Sequence, residues 1–101
     1  MQRRTAGMKA EKAAQHFAYM LLCADGTIYS GYSTDPNRRA AMHNSGKGAK
    51  YTRSRLPAEL VFSECFSTKG EALRREAALK KLSHAEKLAL ISSGSVLKSG
   101  E

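Results

Sequence analysis

Two short β-forming runs lie so close together that they have to pair, and nothing else in the chain constrains its fold as much. Phe17-Ala18-Tyr19-Met20-Leu21-Leu22-Cys23 is apolar with two aromatics, Thr27-Ile28-Tyr29-Ser30-Gly31-Tyr32 alternates β-formers, and only Ala24-Asp25-Gly26 separates them. Runs of this length are strands, and Asp-Gly between two of them signals an antiparallel hairpin. Two registers are open. If Asp25-Gly26 alone turns, Tyr29 lies opposite Leu22, and Tyr19 and Tyr29 point to opposite faces, because side chains alternate with a period of two. If Ala24-Asp25-Gly26 is a three-residue loop, Tyr29 pairs with Leu21, and Tyr19, Leu21, Tyr29 and Gly31 share one face. Gly26 stands where this second geometry needs a left-handed residue without a Cβ, which favours it.

Beyond the hairpin, Thr34-Asp35-Pro36 starts a helix, with Asp35 as cap and Pro36 at the first helical position. It runs to about Asn44 and stops at Ser45-Gly46. A Gly- and Ser-containing loop follows, carrying Lys47, Lys50, Tyr51, Arg53 and Arg55 and closed by Pro57. Glu59–Phe66 reads as a third strand with Leu60, Phe62 and Phe66 on one side. Thr68-Lys69-Gly70-Glu71 and Ser83-His84-Ala85-Glu86 are capping-box signatures, each opening a helix. The order β-β-α-β-α-α predicts an α/β domain of the α+β type: a small, three-stranded, mainly antiparallel sheet flanked by helices.

Residues 1–15 and 92–101 hold too few apolar side chains to offset the entropy of ordering them, so both read as tails, the first basic and the second flexible. One domain over residues 16–91 remains. The net charge is +8, from 17 Lys or Arg against 9 acids, which attracts polyanions. Nucleic acid suits that field better than anionic lipid. No apolar run nears membrane-spanning length, and no basic helix carries an opposing aromatic face. Lys9, Glu11 and Lys12 break the run that a signal peptide needs. Cys23 and Cys65, both within apolar stretches, read as buried, reduced thiols, and the cytoplasm is the expected location.

Glu76 is the anomaly. It falls within the stripe Ala72, Leu73, Leu79, Leu82 of its helix, where a carboxylate is costly unless a cation answers it. Lys80, four residues on, is one answer; a divalent cation is another, since Mg²⁺ is commonly held by one carboxylate, waters and phosphate oxygens. Arg38 and Arg39 are adjacent, so one faces the protein, where a guanidinium can clamp phosphate and stabilise developing charge. His43 lies one turn past Arg39 on the same face. A free phenol has a pKa near 10, so a tyrosine base needs a guanidinium and a metal close by. Each residue also has an ordinary reading, as a solvated arginine pair, a surface histidine or packed strand tyrosines. Lys47, Lys50, Arg53 and Arg55 are phosphate-contact candidates, and Tyr51 a stacking surface.

Taken in order, Tyr19, then Tyr29-Ser30-Gly31, then Thr34-Asp35-Pro36-Asn37-Arg38-Arg39 with His43, then Glu76 in Ala72-Leu73-Arg74-Arg75-Glu76, resemble the GIY-YIG nuclease family. Gly46-Lys47-Gly48-Ala49-Lys50-Tyr51-Thr52 is similar to its small stand-alone bacterial members, the UPF0213-like group. The resemblance implies metal-dependent cleavage of phosphodiesters, with Mg²⁺ or Mn²⁺ on Glu76. It also implies roles for Tyr19 and Tyr29 as the two motif tyrosines, for Arg39 on the phosphoryl group, and for His43 at a position that is His or Tyr in relatives. Two departures stand out. The first motif keeps only its tyrosine, reading Phe17-Ala18-Tyr19, and no asparagine follows Asn44, whereas many active relatives carry one after the glutamate.

Three functions compete at this point: a monomeric endonuclease directed by backbone or structure, with DNA ahead of RNA; a nucleic-acid-binding module working with a partner protein that supplies specificity; and a protein-interaction domain using the apolar sheet face. Fold alone does not separate the first two.

Overall fold

The computed structural model describes residues 15–100, with side chains as far as residue 93. The expected basic tail therefore lies outside the described residues apart from Gln15, as does Glu101. Three strands, β1 (His16–Cys23), β2 (Ile28–Ser33) and β3 (Ala58–Phe66), form one antiparallel sheet in the order β2-β1-β3. Among the described residues four helices accompany it: α1 (Pro36–Asn44), α2 (Lys50–Arg53), α3 (Lys69–Lys80) and α4 (His84–Gly100). The α+β architecture is as expected. No described helix is long and apolar enough to cross a membrane.

The hairpin adopts the three-residue loop. Tyr29 pairs with Leu21 and Gly31 with Tyr19, and Gly26 takes φ 88°, the left-handed region that favours glycine. The Cys23 and Gly26 N–H groups donate to Thr27 O and Cys23 O, each at 2.9 Å. Asp25 Oδ1 accepts from the Thr27 hydroxyl at 2.6 Å and from its N–H at 3.0 Å, which holds the carboxyl below its ordinary range.

This register sorts the core onto two faces. Ala18, Met20 and Ile28 meet Leu79 of α3, with Phe62, Phe66, Leu82, Leu90 and Ile91 around them. Tyr19, Leu21, Cys23 and Ala58 form the other cluster, with Tyr29, Ala40, Leu56 and Leu60. Helices thus cover both faces, α3 and α4 on one and α1 on the other. The chain caps them as its sequence implies. Asp35 Oδ1 accepts the Arg38 N–H at 3.2 Å, and Ser83 and Glu86 exchange a full box at 3.1 and 2.8 Å. Asn44, at the end of α1, donates to Ala58 O at 2.8 Å and accepts its N–H at 2.7 Å, fastening the helix to the start of β3.

Four expectations need correction. Leu60 and Phe62 lie on opposite faces, because Leu21 pairs with Leu60 while Met20 pairs with Phe62, leaving Val61 as an extra residue in β3. The loop over 47–55 contains the short helix α2. Cys23 is buried, but Cys65, near the end of the edge strand β3, is exposed. Helix α4 continues to Gly100 rather than ending near residue 91.

Candidate active site

Tyr19 reaches the site by crossing the neighbouring strand. Its ring lies directly over Gly31, where a Cβ would sit 2.7 Å from both Cζ and Oη. Only glycine leaves this passage open. The Tyr19 hydroxyl, 1% exposed with its ring, lies 3.3 Å from Nε2 of His43 on the last turn of α1. His43 is itself 2% exposed, and its Nδ1 is 2.7 Å from Thr52 Oγ1 on α2. Thr52 is fully buried and donates its hydroxyl proton to Ala49 O at 2.9 Å. His43 Nδ1 also accepts the Ala49 N–H at 3.4 Å, so the ring is held at Nδ1 by Thr52 and Ala49 and at Nε2 by Tyr19. The result is a buried chain, Tyr19 to His43 to Thr52 to the Ala49 carbonyl.

Burial shifts both titrating members toward neutrality. It lowers His43 below its ordinary value, with help from the Arg39 guanidinium. Burial and the neighbouring Tyr29 push Tyr19 up to about 12, against the opposing pull of Arg39. A histidine kept neutral only in the folded state binds fewer protons there than when unfolded. Its contribution to stability is thus complete above the unfolded pKa of about 6.5 and is lost as the pH falls below it, by at most about 1.4 kcal/mol per pH unit. Urea unfolding at pH 7.5 and 5.5 should show this decline in the wild type and a shallower one in His43→Gln.

Tyr29 is half-buried beside this chain, its ring centroid 5.1 Å from that of His43 and 6.4 Å from that of Tyr19. Arg39 is half-buried one turn before His43; its Nη1 points to Met42 Sδ at 3.8 Å, and no carboxylate pairs with it among the described residues. Glu76 approaches from α3. Ala72 and Leu79 take the buried stripe of that helix, and the row Leu73, Glu76, Lys80 falls on its flank. Leu73, expected in the core, is instead 40% exposed and lines the site. Tyr19, Tyr29, Arg39, His43 and Glu76 all line one cleft of about 480 Å³. Glu76 Oε2 also meets Lys80 Nζ at 3.2 Å, so the helical ion pair exists without removing the carboxylate from the cleft.

The basic residues of the 47–55 segment divide. Lys47 lines the cleft, and Lys50 and Arg53 are exposed on α2. Arg55 is engaged internally: Nε meets Asp25 Oδ2 at 3.0 Å, Nη1 donates to Tyr51 O at 2.8 Å, and Cζ stands 4.1 Å over the Tyr51 ring. Tyr51 also stacks on Tyr29 with centroids 6.0 Å apart, so its ring already has two partners. Arg38 is exposed and lines a neighbouring hollow with Arg39. Sequence reasoning gave Thr52 no role, because no spacing marks its hydroxyl. It also missed the role of Gly48, whose missing Cβ makes room for the His43 ring.

A model of the GIY-YIG catalytic domain matches residues 15–89, the span that contributes every wall of this cleft. The chain belongs to the GIY-YIG catalytic domain family. It is 49% identical to a UPF0213 protein of Staphylococcus epidermidis over 79% of its own length and 98% of the relative's. A UPF0213 protein of Natronomonas pharaonis is 52% identical over 78% and 93%. The solution structure of the UPF0213 protein of Bacillus halodurans superposes with a TM-score of 0.50 at 50% identity, covering 77% of this chain and 83% of that one. A second solution structure, from E. faecalis, gives 0.51 at 40% identity over 91% and 90%. Membership supports a nuclease-type function. The geometry also explains what this GIY-YIG domain keeps of the two motifs. Phe17 pairs with Ser33 and Cys65 in regular strand, where no glycine is needed, whereas Gly31 is required under Tyr19.

Among the described residues no three His, Cys, Asp or Glu side chains cluster as a metal-holding group. Glu76 is a carboxylate lining the cleft, a donor of the kind that hard ions keeping most of their waters use.

Proposed function

We propose that this protein is a metal-dependent endonuclease that hydrolyses phosphodiester bonds of DNA, directed by backbone or structure and acting as a monomer in the cytoplasm. The convergence of Tyr19, Tyr29, Arg39, His43 and Glu76 on one cleft supports this reading. Glu76 would hold Mg²⁺ or Mn²⁺, which would supply Lewis-acid polarisation of the scissile phosphate. Arg39, free of any carboxylate partner among the described residues, donates to the phosphoryl oxygens as charge builds on them. The tyrosines take different roles. Tyr19, held neutral to about 12, is hydrogen-bonded to His43 and stays in place, and His43 is fixed in turn by Thr52. That leaves Tyr29 to orient the attacking water or to take its proton. Lys47, Lys50, Arg53 and Arg38 contact the backbone to either side.

The test incubates the protein with single-stranded, duplex, flap and branched DNA and with RNA, in Mg²⁺ or Mn²⁺ and in chelator. Metal-dependent cutting of at least one DNA, faster than of RNA, is expected. Salt-dependent binding without cutting in any metal would instead leave a binding module that needs a partner protein.

A further inference from the structure

A second cleft, of about 330 Å³, shares Tyr29 with the first and opens on β2, an edge strand of the sheet. Ile28, Ser30, Tyr51, Lys80 and Lys87 complete its walls. Ser30 is 3% exposed, and its Oγ is a buried side-chain atom without a hydrogen-bond partner among the described residues. The other buried polar side chains are satisfied: Ser33 accepts from the Asp35 N–H, and His43 and Thr52 bond each other. An unpartnered buried hydroxyl is a standing cost, tolerated where a ligand supplies the partner. The ammonium groups point to the same ligand. Lys87 has no carboxylate partner among the described residues, and Lys80 approaches from α3 with its only ion-pair partner, Glu76, in the adjoining cleft. Two ammonium groups and a free hydroxyl offer donors to an anion, and no carboxylate lines the cleft to oppose it.

We propose that this cleft seats a backbone phosphate next to the one that is cut, on the same strand of nucleic acid, with Lys87, Lys80 and Ser30 as its donors. The inference rests on the nuclease reading of the adjoining cleft. Tyr29 is a wall of both, so a strand leaving the first cleft along the sheet edge enters the second. A phosphate suits the site better than a base, because the Tyr51 ring is already stacked on Tyr29 and covered by Arg55.

The experiment measures binding of labelled single-stranded and duplex oligonucleotides in chelator, so that nothing is cut, across a range of salt. Lys87→Ala should weaken binding and lower the slope of log affinity against log salt by roughly 0.7 for single strands or 0.9 for duplex, the loss of one phosphate contact. Lys81→Ala removes the same charge from an exposed residue outside both clefts and should change the slope far less. Ser30→Ala should weaken binding roughly tenfold, the worth of one hydrogen bond to a charged group, while Tm stays level or rises because an unsatisfied hydroxyl has gone.

Equal slopes for Lys87→Ala and Lys81→Ala would overturn the proposal, as would wild-type binding by Ser30→Ala. Either result with normal wild-type binding leaves the nuclease reading standing. Wild-type protein that binds no oligonucleotide even at low salt removes that reading and this one together. Inorganic phosphate is titrated in parallel by NMR. Shifts at Ser30 and Lys87 that saturate at lower phosphate than oligonucleotide concentration would assign the cleft to a small anion instead.

Discussion

Arg39→Ala should lower the rate of cutting by roughly two to three orders of magnitude, as expected when a donor to a transition-state oxyanion is removed. The reasoning is local. Arg39 is half-buried at the cleft, where its guanidinium acts on Tyr19 and His43 and its Nη1 approaches Met42 Sδ at 3.8 Å. No ion pair among the described residues neutralises it, so its charge is available to a substrate. Losing it should leave the fold intact, because no ion pair among the described residues depends on the guanidinium. Arg39→Lys should recover only a small part of the rate, since an ammonium keeps the charge without the paired donors of the fork. Single-turnover cleavage measured beside oligonucleotide affinity is the check. A variant that cuts at the wild-type rate would remove Arg39 from the mechanism. A variant that loses affinity and rate in equal measure would make it a binding residue only.

Gly48→Ala carries the largest expected structural penalty. A Cβ at this position overlaps His43 Nδ1, lies 2.5 Å from Cγ, and meets the His43 Cα at 2.8 Å. Ring rotation relieves the first two contacts at the expense of the bonds to Thr52 and Tyr19. It does nothing for the third, which is backbone. The 46–49 segment must therefore move away from α1, and a cost of about 1–3 kcal/mol is expected for overpacking of this kind. Gly46→Ala is the useful comparison. Its penalty comes from φ 88° alone, with open space around the added methyl. Urea unfolding of both variants, with NMR of the His43 ring, separates the two causes: both lose stability, but only Gly48→Ala displaces the imidazole. Wild-type stability in Gly48→Ala would mean that the segment does not pack on His43 as described.

Much of the site was legible in the chain itself, and the reason is that it depends on local geometry. Asp35-Pro36 starts α1, and its period sets Arg39 and His43 on one face whatever surrounds them. Glu76 stood out because a carboxylate interrupted an apolar stripe. The capping residues at Asp35, Thr68 and Ser83 marked each of those helix starts. Residues whose roles arise from packing gave no such signal. Thr52 carries no spacing pattern, Leu60 changed face because of one extra residue in β3, and Arg55 was drawn to Asp25 across the fold.

The hairpin joins the two kinds of information. The sequence by itself determined that Phe17–Cys23 and Thr27–Tyr32 pair and that Gly26 turns between them, because β-propensity and the left-handed preference of glycine act over a few residues. It left two registers open and could only favour one. Tertiary structure decided that Tyr19 and Tyr29 share a face, since that face packs against α1 and a one-residue slip would put Tyr29 on the opposite face from Tyr19. It alone placed Glu76 beside them, because α3 follows Tyr19 by about fifty residues and reaches the cleft only by packing across the sheet. It alone buried Tyr19 and His43 together, and burial is what keeps both neutral. Desolvation depends on every surrounding atom, most of them distant in sequence, so no local pattern can encode it.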